Sequence, residues 1–410
     1  MLQEETGIAS GYPCRILNTV HRMRILSKSS IPARKDYPLM NNRERFQAAM
    51  RFKPTDRPAH LEYGFWKETY LRWKGEGLPE SVIYSDDIFH HQPENDLFNY
   101  FGVTKFGYVR LEQYYLPAFT REVVNETSDY TEIRDERGVR LRIKKGNVSI
   151  PQFLEYPIKT MADYHKYRER LLGLSEKRYP PYYEEEAKFL RNQGDIIVGI
   201  HIDGFFGYPR ELMGVERLLT TCYDDPDLIH LIIQDRVDAD IALYEKVIAD
   251  IQPDFAFIWE DMCYKNGPLI SPATFRRFML PAYQKFTAFL RKMGVDIIVV
   301  DSDGDIRKLI PLWLEGGVTC LLPFEVKAGL DVCQIRHDYP SLQIIGGINK
   351  HRLEGDKTAI DNELSRVLPT MLSQGGYAVA LDHWVHESIP FENFCHYVDK
   401  IKSYSEYTKR

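Results

Sequence analysis

The sequence predicts an α/β protein whose parallel strands close into a (β/α)8 TIM barrel, with a small antiparallel β insertion. Three observations carry this expectation. Short apolar runs too continuous for a one-sided surface strand recur along the chain, helix-length stretches separate them, and the runs end in polar residues, most often carboxylates. Such runs read as strands buried on both faces, and strand alternating with helix is the pattern of a parallel sheet.

Residues 1–40 mix Ser, Pro and basic residues without sustained periodicity and read as a loosely ordered extension, leaving 41–410 for the barrel domain. "NNRERFQAAMRF" starts on Asn, a favoured helix cap, and the prolines of "KPTDRP" stop that helix. "AHLEYGF" (59–65) is the first strand, 66–105 reads as helices and loops, and "FGYVRLE" (106–112) is a less regular strand. From Arg121 to Lys145, "REVVNETSDYTEIRDERGVRLRIKK" alternates branched or aromatic residues with charged ones around the turn "DERG". That is the pattern of an antiparallel hairpin or meander, inserted at about 119–150. Six more strands follow: "DIIVGIHID" (195–203), "PDFAFIWED" (253–261), "VDIIVVDSD" (295–303), "VTCLLPFE" (318–325), "LQIIGGIN" (342–349) and "YAVALDH" (377–383). The total of eight favours a closed barrel. An open doubly wound sheet is the alternative, but no GxGxxG loop follows any strand.

Composition narrows the function. A chain of 410 residues, 44% hydrophobic and 27% charged, can bury a sizeable core. A formal charge of −6 without a broad Lys/Arg tract argues against nucleic acid as partner. The six cysteines (Cys14, Cys222, Cys263, Cys320, Cys333, Cys395) form no CxxC pair and read as free thiols in a reducing compartment. No run approaches the roughly twenty apolar residues of a membrane span, and the first thirty or so residues lack the apolar core of an export signal. A cytoplasmic protein acting on a small molecule is the expectation.

The strand ends hold the chemistry: Glu62, Asp203, Glu260 with Asp261, Asp301 with Asp303, Glu325, Asn349, and Asp382 with His383. In a parallel barrel these ends converge on one face. Carboxylates crowded there must share protons, pair with cations or bind a metal. In "VVDSDGDI" (299–306), Asp301 and Asp303 share a face if the strand geometry persists, and Gly304 allows a sharp turn. Capping of the next helix is the competing reading, preferred for Asp305. "DSDGD" is no calcium loop, since its glycine stands fourth and its twelfth residue is Leu312. His383 is either a proton carrier or ligand, or a satisfied structural histidine. In "GFFGYPREL" (204–212), Phe206, Tyr208 and Arg210 line a pocket for a flat ligand, or the aromatics simply pack.

Several segments together resemble the uroporphyrinogen decarboxylase-like superfamily, which also contains cobalamin-dependent methyltransferases. They are "NNRERFQAAMRFKPTDRP", "GFFGYPRELMG", "WEDMCYKNGPLISPATFRRFMLP", "DSDGDIRKLIPLWLEGGV", "PFEVKAGLDV", "IIGGINK" and "DHWVHESIPFENF", spread from about Asn41 to the C-terminus. The resemblance implies a (β/α)8 barrel with its site at the strand C-termini. It places His383 where the decarboxylases end their last strand in Gly-His, with Asp382 replacing the glycine. Glu260 and Asp261 take the place of an Asp-Ser pair, and "HLEYGFWKETYLRW" has no counterpart of the decarboxylases' carboxylate-holding arginines. The zinc ligands of the methyltransferase branch correspond to Asp301 and Asp303, then Asp382 or His383. That set is oxygen-rich but compatible with zinc or another divalent ion.

The resulting expectation is a methyltransferase moving a methyl group between a small substrate and the cobalt of a corrinoid partner protein. Asp301, Asp303, Glu325 and His383 would hold the metal. His383, Asp303, Glu260 and Asp382 would be catalytic, with Glu62, Asp203, Phe206, Tyr208, Arg210, Asp261 and Asn349 around the substrate. One alternative is a cofactor-free decarboxylase of a porphyrinogen or other carboxylated ring compound, with His383 and an aspartate passing protons. Another is a tetrapyrrole-binding protein without turnover. The chain would act alone or as a homodimer.

Overall fold

The computed structural model describes residues 39–85, 96–146 and 151–405. The expected N-terminal extension therefore lies outside the described residues, apart from its last two. In chain order the strands are β1 (Lys105–Tyr108), β2 (Glu122–Glu126), β3 (Tyr130–Arg134), β4 (Arg140–Lys144), β5 (Gln152–Glu155), β6 (Ile196–Asp203), β7 (Phe255–Trp259), β8 (Cys263–Tyr264), β9 (Gly267–Pro268), β10 (Ile298–Asp301), β11 (Cys320–Leu322), β12 (Gln343–Ile345) and β13 (Tyr377–Ala378).

Seven of them form one sheet in the order β1-β6-β7-β10-β11-β12-β13, and every pairing in it is parallel. Helices connect these strands, as parallel pairing requires. The long runs expected to be buried on both faces are so buried. Phe255, Phe257, Val299 and Cys320 belong to a cluster on the inner face, while Ala256, Ile258, Val300 and Leu321 belong to the larger cluster against the helices.

The closed eight-stranded barrel is not what the ladder shows. Residues 59–65, expected as the first strand, make isolated parallel bridges: His60 with Val379, Leu61 with Thr104 and Phe65 with Val385. Leu61 N donates to Val379 O at 2.8 Å and Thr104 N to His60 O at 2.9 Å. Pro58 just before them has no amide with which to extend a ladder. The sheet is thus open and curled, with this short segment bridging its edges. The antiparallel insertion is present as a four-stranded sheet, β2-β3-β4-β5, built on a small core of Ile133, Val139 and Leu141. Its last strand reaches Glu155, beyond the expected limit.

Glu62 fastens the bridging segment. Its buried carboxylate faces His60 Nε2 at 2.9 Å, and accepts the Tyr397 hydroxyl at 3.0 Å and the Leu381 amide at 3.1 Å. Glu62→Ala strands these groups in a dry environment, so unfolding in denaturant should show a loss of about 2–4 kcal/mol, with Glu62→Gln losing less. A loss under about 0.5 kcal/mol would show that the segment is held otherwise.

Candidate active site

The ladder register sets Asp203, Trp259 and Asp301 level on adjacent strands. Asp301 lies two residues beyond the inward Val299 and so shares its face, where the Tyr63 hydroxyl donates to its Oδ2. Burial raises the Asp301 carboxyl well above its ordinary range, the Asp261 charge adds to this, and the Tyr63 bond opposes it. Beyond Asp301 the chain turns at Gly304, whose φ is +80° and whose missing Cβ would stand 2.7 Å from the Tyr264 carbonyl. The turn brings Asp303 Oδ2 to 3.5 Å from His383 Nε2. Glu325 joins from the exit of β11, its Oε2 accepting the Gly304 amide at 2.8 Å.

Asp261 completes the group from the exit of β7, in the left-handed region at φ +44°. Burial pushes its carboxyl up to about 6, with Asp303 adding to the shift and Arg210 opposing it. Arg210 lies over the Trp259 ring at 4.8 Å and donates to the Asp261 carbonyl at 2.8 Å. Asp261, Asp303 and Glu325 open on a cleft of about 390 Å³ also lined by Arg210, Tyr264 and Lys265, with Phe153 and Tyr156 of the insertion forming one wall. A larger open groove, of about 860 Å³, runs between the insertion and residues 213–220 and contains none of the clustered acids.

Ligand-type atoms of Asp303, Glu325 and His383 lie within 4.8 Å of one another, as do those of Asp261, Asp301 and Asp303. Two carboxylates with an imidazole are donors that suit a divalent ion, and on this chemistry the clusters fit one. When bound, the ion would polarise an oxygen or nitrogen of the substrate.

Other expected site residues serve the scaffold. Glu260 is fully buried: it accepts the amides of Phe205, Phe206 and Gly207 at 2.8–3.0 Å and the Tyr283 hydroxyl. Burial pushes it up to about 7 against the pull of these donors. It lies two residues beyond Ile258 and shares its helix-facing side, away from the cleft. A Cβ on Gly204 would stand 2.2 Å from the Glu260 carboxyl carbon, which reserves that position for glycine. Asp382, expected to be catalytic, accepts the amides of Val326 and Lys350, each at 3.0 Å. Glu62 faces its own buried partners. Phe206 and Tyr208 are fully buried in the core rather than lining a pocket. Asn349 caps the turn after β12 through the His351 amide at 3.1 Å. Asp203 accepts the Tyr114 hydroxyl. Asp305, expected to cap the next helix, instead accepts the Arg307 amide at 3.2 Å and pairs with its guanidinium at 2.8 Å, while that helix begins at Ile310 with Leu309 at its cap position. Two residues the sequence reading passed over belong to the site: Tyr63, which alternation places inward beside the outward Glu62, and Lys265.

The chain matches the family model "Uroporphyrinogen decarboxylase (URO-D)" over residues 116–404. It is similar to the uroporphyrinogen decarboxylase of Geotalea daltonii, 23% identical over 274 residues, 62% of this chain and 73% of that protein. The enzyme of Syntrophotalea carbinolica is likewise 23% identical, over 60% of this chain and 71% of its own length. Among solved structures, a methyltransferase from Methanosarcina mazei shares the fold with a TM-score of 0.55 and 16% identity, covering 89% of this chain and 99% of that one. The chain belongs to the uroporphyrinogen decarboxylase family and is an enzyme of the superfamily in which decarboxylases and methyltransferases share this fold.

Because the Asp261 carboxyl is raised on folding, its neutral form favours the folded state. That contribution is complete below the unfolded value near 4 and is lost as pH rises through about 6. Asp261→Asn should therefore unfold like the parent at pH 4 and be more stable by about 1–3 kcal/mol at pH 8. Equal stability at both pH values would mean that the carboxyl is not raised.

Proposed function

We propose that this enzyme decarboxylates a ring compound bearing few carboxylates, with the Asp303 and His383 pair delivering the proton. The observation that carries the reading is two groups that share Asp303, one with Glu325 and His383 and one with Asp261 and Asp301, burial holding the last two acids in their protonated forms at higher pH than usual. Replacing a carboxylate by hydrogen consumes one proton per turnover. Protonation of an electron-rich ring makes it an electron sink, the bond to the carboxylate breaks, carbon dioxide leaves, and the electron pair returns to the ring. A second protonation at the freed carbon and loss of the ring proton complete the exchange. Acids that keep their protons to higher pH than usual, as Asp261 and the buried Asp301 do, suit both transfers.

Substrate size follows from charge. Among the described residues, Arg210 and Lys265 are the cations lining the cleft, enough to hold one or two carboxylates but poorly matched to a heavily carboxylated macrocycle. The curated relatives' decarboxylase names support the reaction class.

A second reading rests on the donor set of Asp303, Glu325 and His383. With zinc or another divalent ion in place, it would suit methyl transfer between a small substrate and the cobalt of a corrinoid partner.

The two readings part on metal. Under decarboxylation, carbon dioxide release from a panel of carboxylated pyrroles and porphyrinogens should survive a chelator, and His383→Ala should lower it by about 10²–10⁴-fold. No release from any of the panel, together with zinc-dependent methylation of added cobalamin, would instead select methyl transfer.

A further inference from the structure

Away from the acidic cluster, three other ligand-type side chains meet: His351, Glu354 and His386, with donor atoms within 4.8 Å of one another. None belongs to the group that carries the proposed reaction. His351 and Glu354 lie on the 3-10 helix Lys350–Glu354 that follows β12. Three residues per turn set them one above the other on one face. His386 comes from the loop after β13.

The geometry is close to that of a metal site. Glu354 Oε1 lies 2.5 Å from His351 Nδ1 and 3.4 Å from His386 Nε2, and the two rings are 5.5 Å apart. Ligands held at about 2.0–2.1 Å on a tetrahedral ion stand about 3.3 Å from each other. Nε2 of His351 and Nε2 of His386 are both buried and make no hydrogen bond. Buried polar atoms are nearly always satisfied, and these two ring nitrogens, one of them facing Glu354, are left without a hydrogen bond.

A hydrogen bond ties the turn to the loop. The Asp382 carboxylate accepts the Lys350 amide, one residue before His351. It also starts the loop that carries both His383 and His386.

We propose that His351, Glu354 and His386 bind a first-row transition-metal dication of the zinc class, with water completing the coordination. An imidazole pair with a carboxylate favours such an ion over magnesium or calcium. Bound there, it staples the turn after β12 to the loop after β13, and so steadies the chain three residues beyond His383.

The test uses the full chain, stripped by chelator and then dialysed against zinc alone, with bound metal counted by plasma mass spectrometry. The double variant His351→Ala, His386→Ala should bind one zinc fewer per chain than the parent, whereas Asp303→Ala should keep that ion. In the parent itself, zinc should protect His351 and His386 from carbethoxylation, read by peptide mass spectrometry, a measurement that does not depend on a variant folding. Equal zinc in parent and double variant, no zinc in the parent, or histidines modified equally with and without zinc would overturn the proposal. Loss of the ion in Asp303→Ala with retention in the double variant would place it in the acidic cleft and overturn it as well.

Discussion

A carboxylate taken out of water must find donors, and this constraint sorts the acids at the strand exits into two kinds. Glu62, Glu260 and Asp382 are surrounded by amides, hydroxyls or a ring nitrogen on the scaffold. Each ties one connection to another and leaves little capacity for a ligand. Asp261, Asp301, Asp303 and Glu325 instead face one another and His383. Their repulsion is relieved by protons, by Arg210 or by an ion, and that unsettled balance is what makes the cleft chemically useful.

Backbone geometry serves the same end. Asp261 and Phe324, two of the few non-glycine residues with positive φ among those described, sit at the exits that deliver Asp261 and Glu325 to the cluster. A left-handed residue turns the chain abruptly where the strand ends, and such conformations persist only where the surroundings over-determine them. Gly304 does this for Asp303 without a Cβ. The insertion, remote in sequence from the acids, closes one side of the cleft through Phe153 and Tyr156.

Much of this was legible in the sequence. Continuous apolar runs can only be strands covered on both sides, and parallel strands must leave the sheet at the same edge, so Asp301, Asp303, Glu325 and His383 could be placed on one face together. Direction was harder to read. Along a strand side chains alternate, so one position separates Glu62, turned to Tyr397, from Tyr63, turned to Asp301. An acid on the outward parity looks the same in one dimension as one on the inward parity. The aromatic 204–212 loop was likewise ambiguous, because Phe206 and Tyr208 pack as readily as they bind.

The sequence by itself determined the class of fold, the antiparallel insertion and the edge of the sheet where the acids collect, because hydrophobic periodicity and strand direction are local properties. Only the tertiary structure decided that the first segment bridges the sheet rather than joining it as a strand. It alone decided which carboxyls meet donors and which meet each other, and that His351, Glu354 and His386 come together. Those outcomes depend on distances between connections far apart in the chain, and such distances are set by packing rather than by residue type.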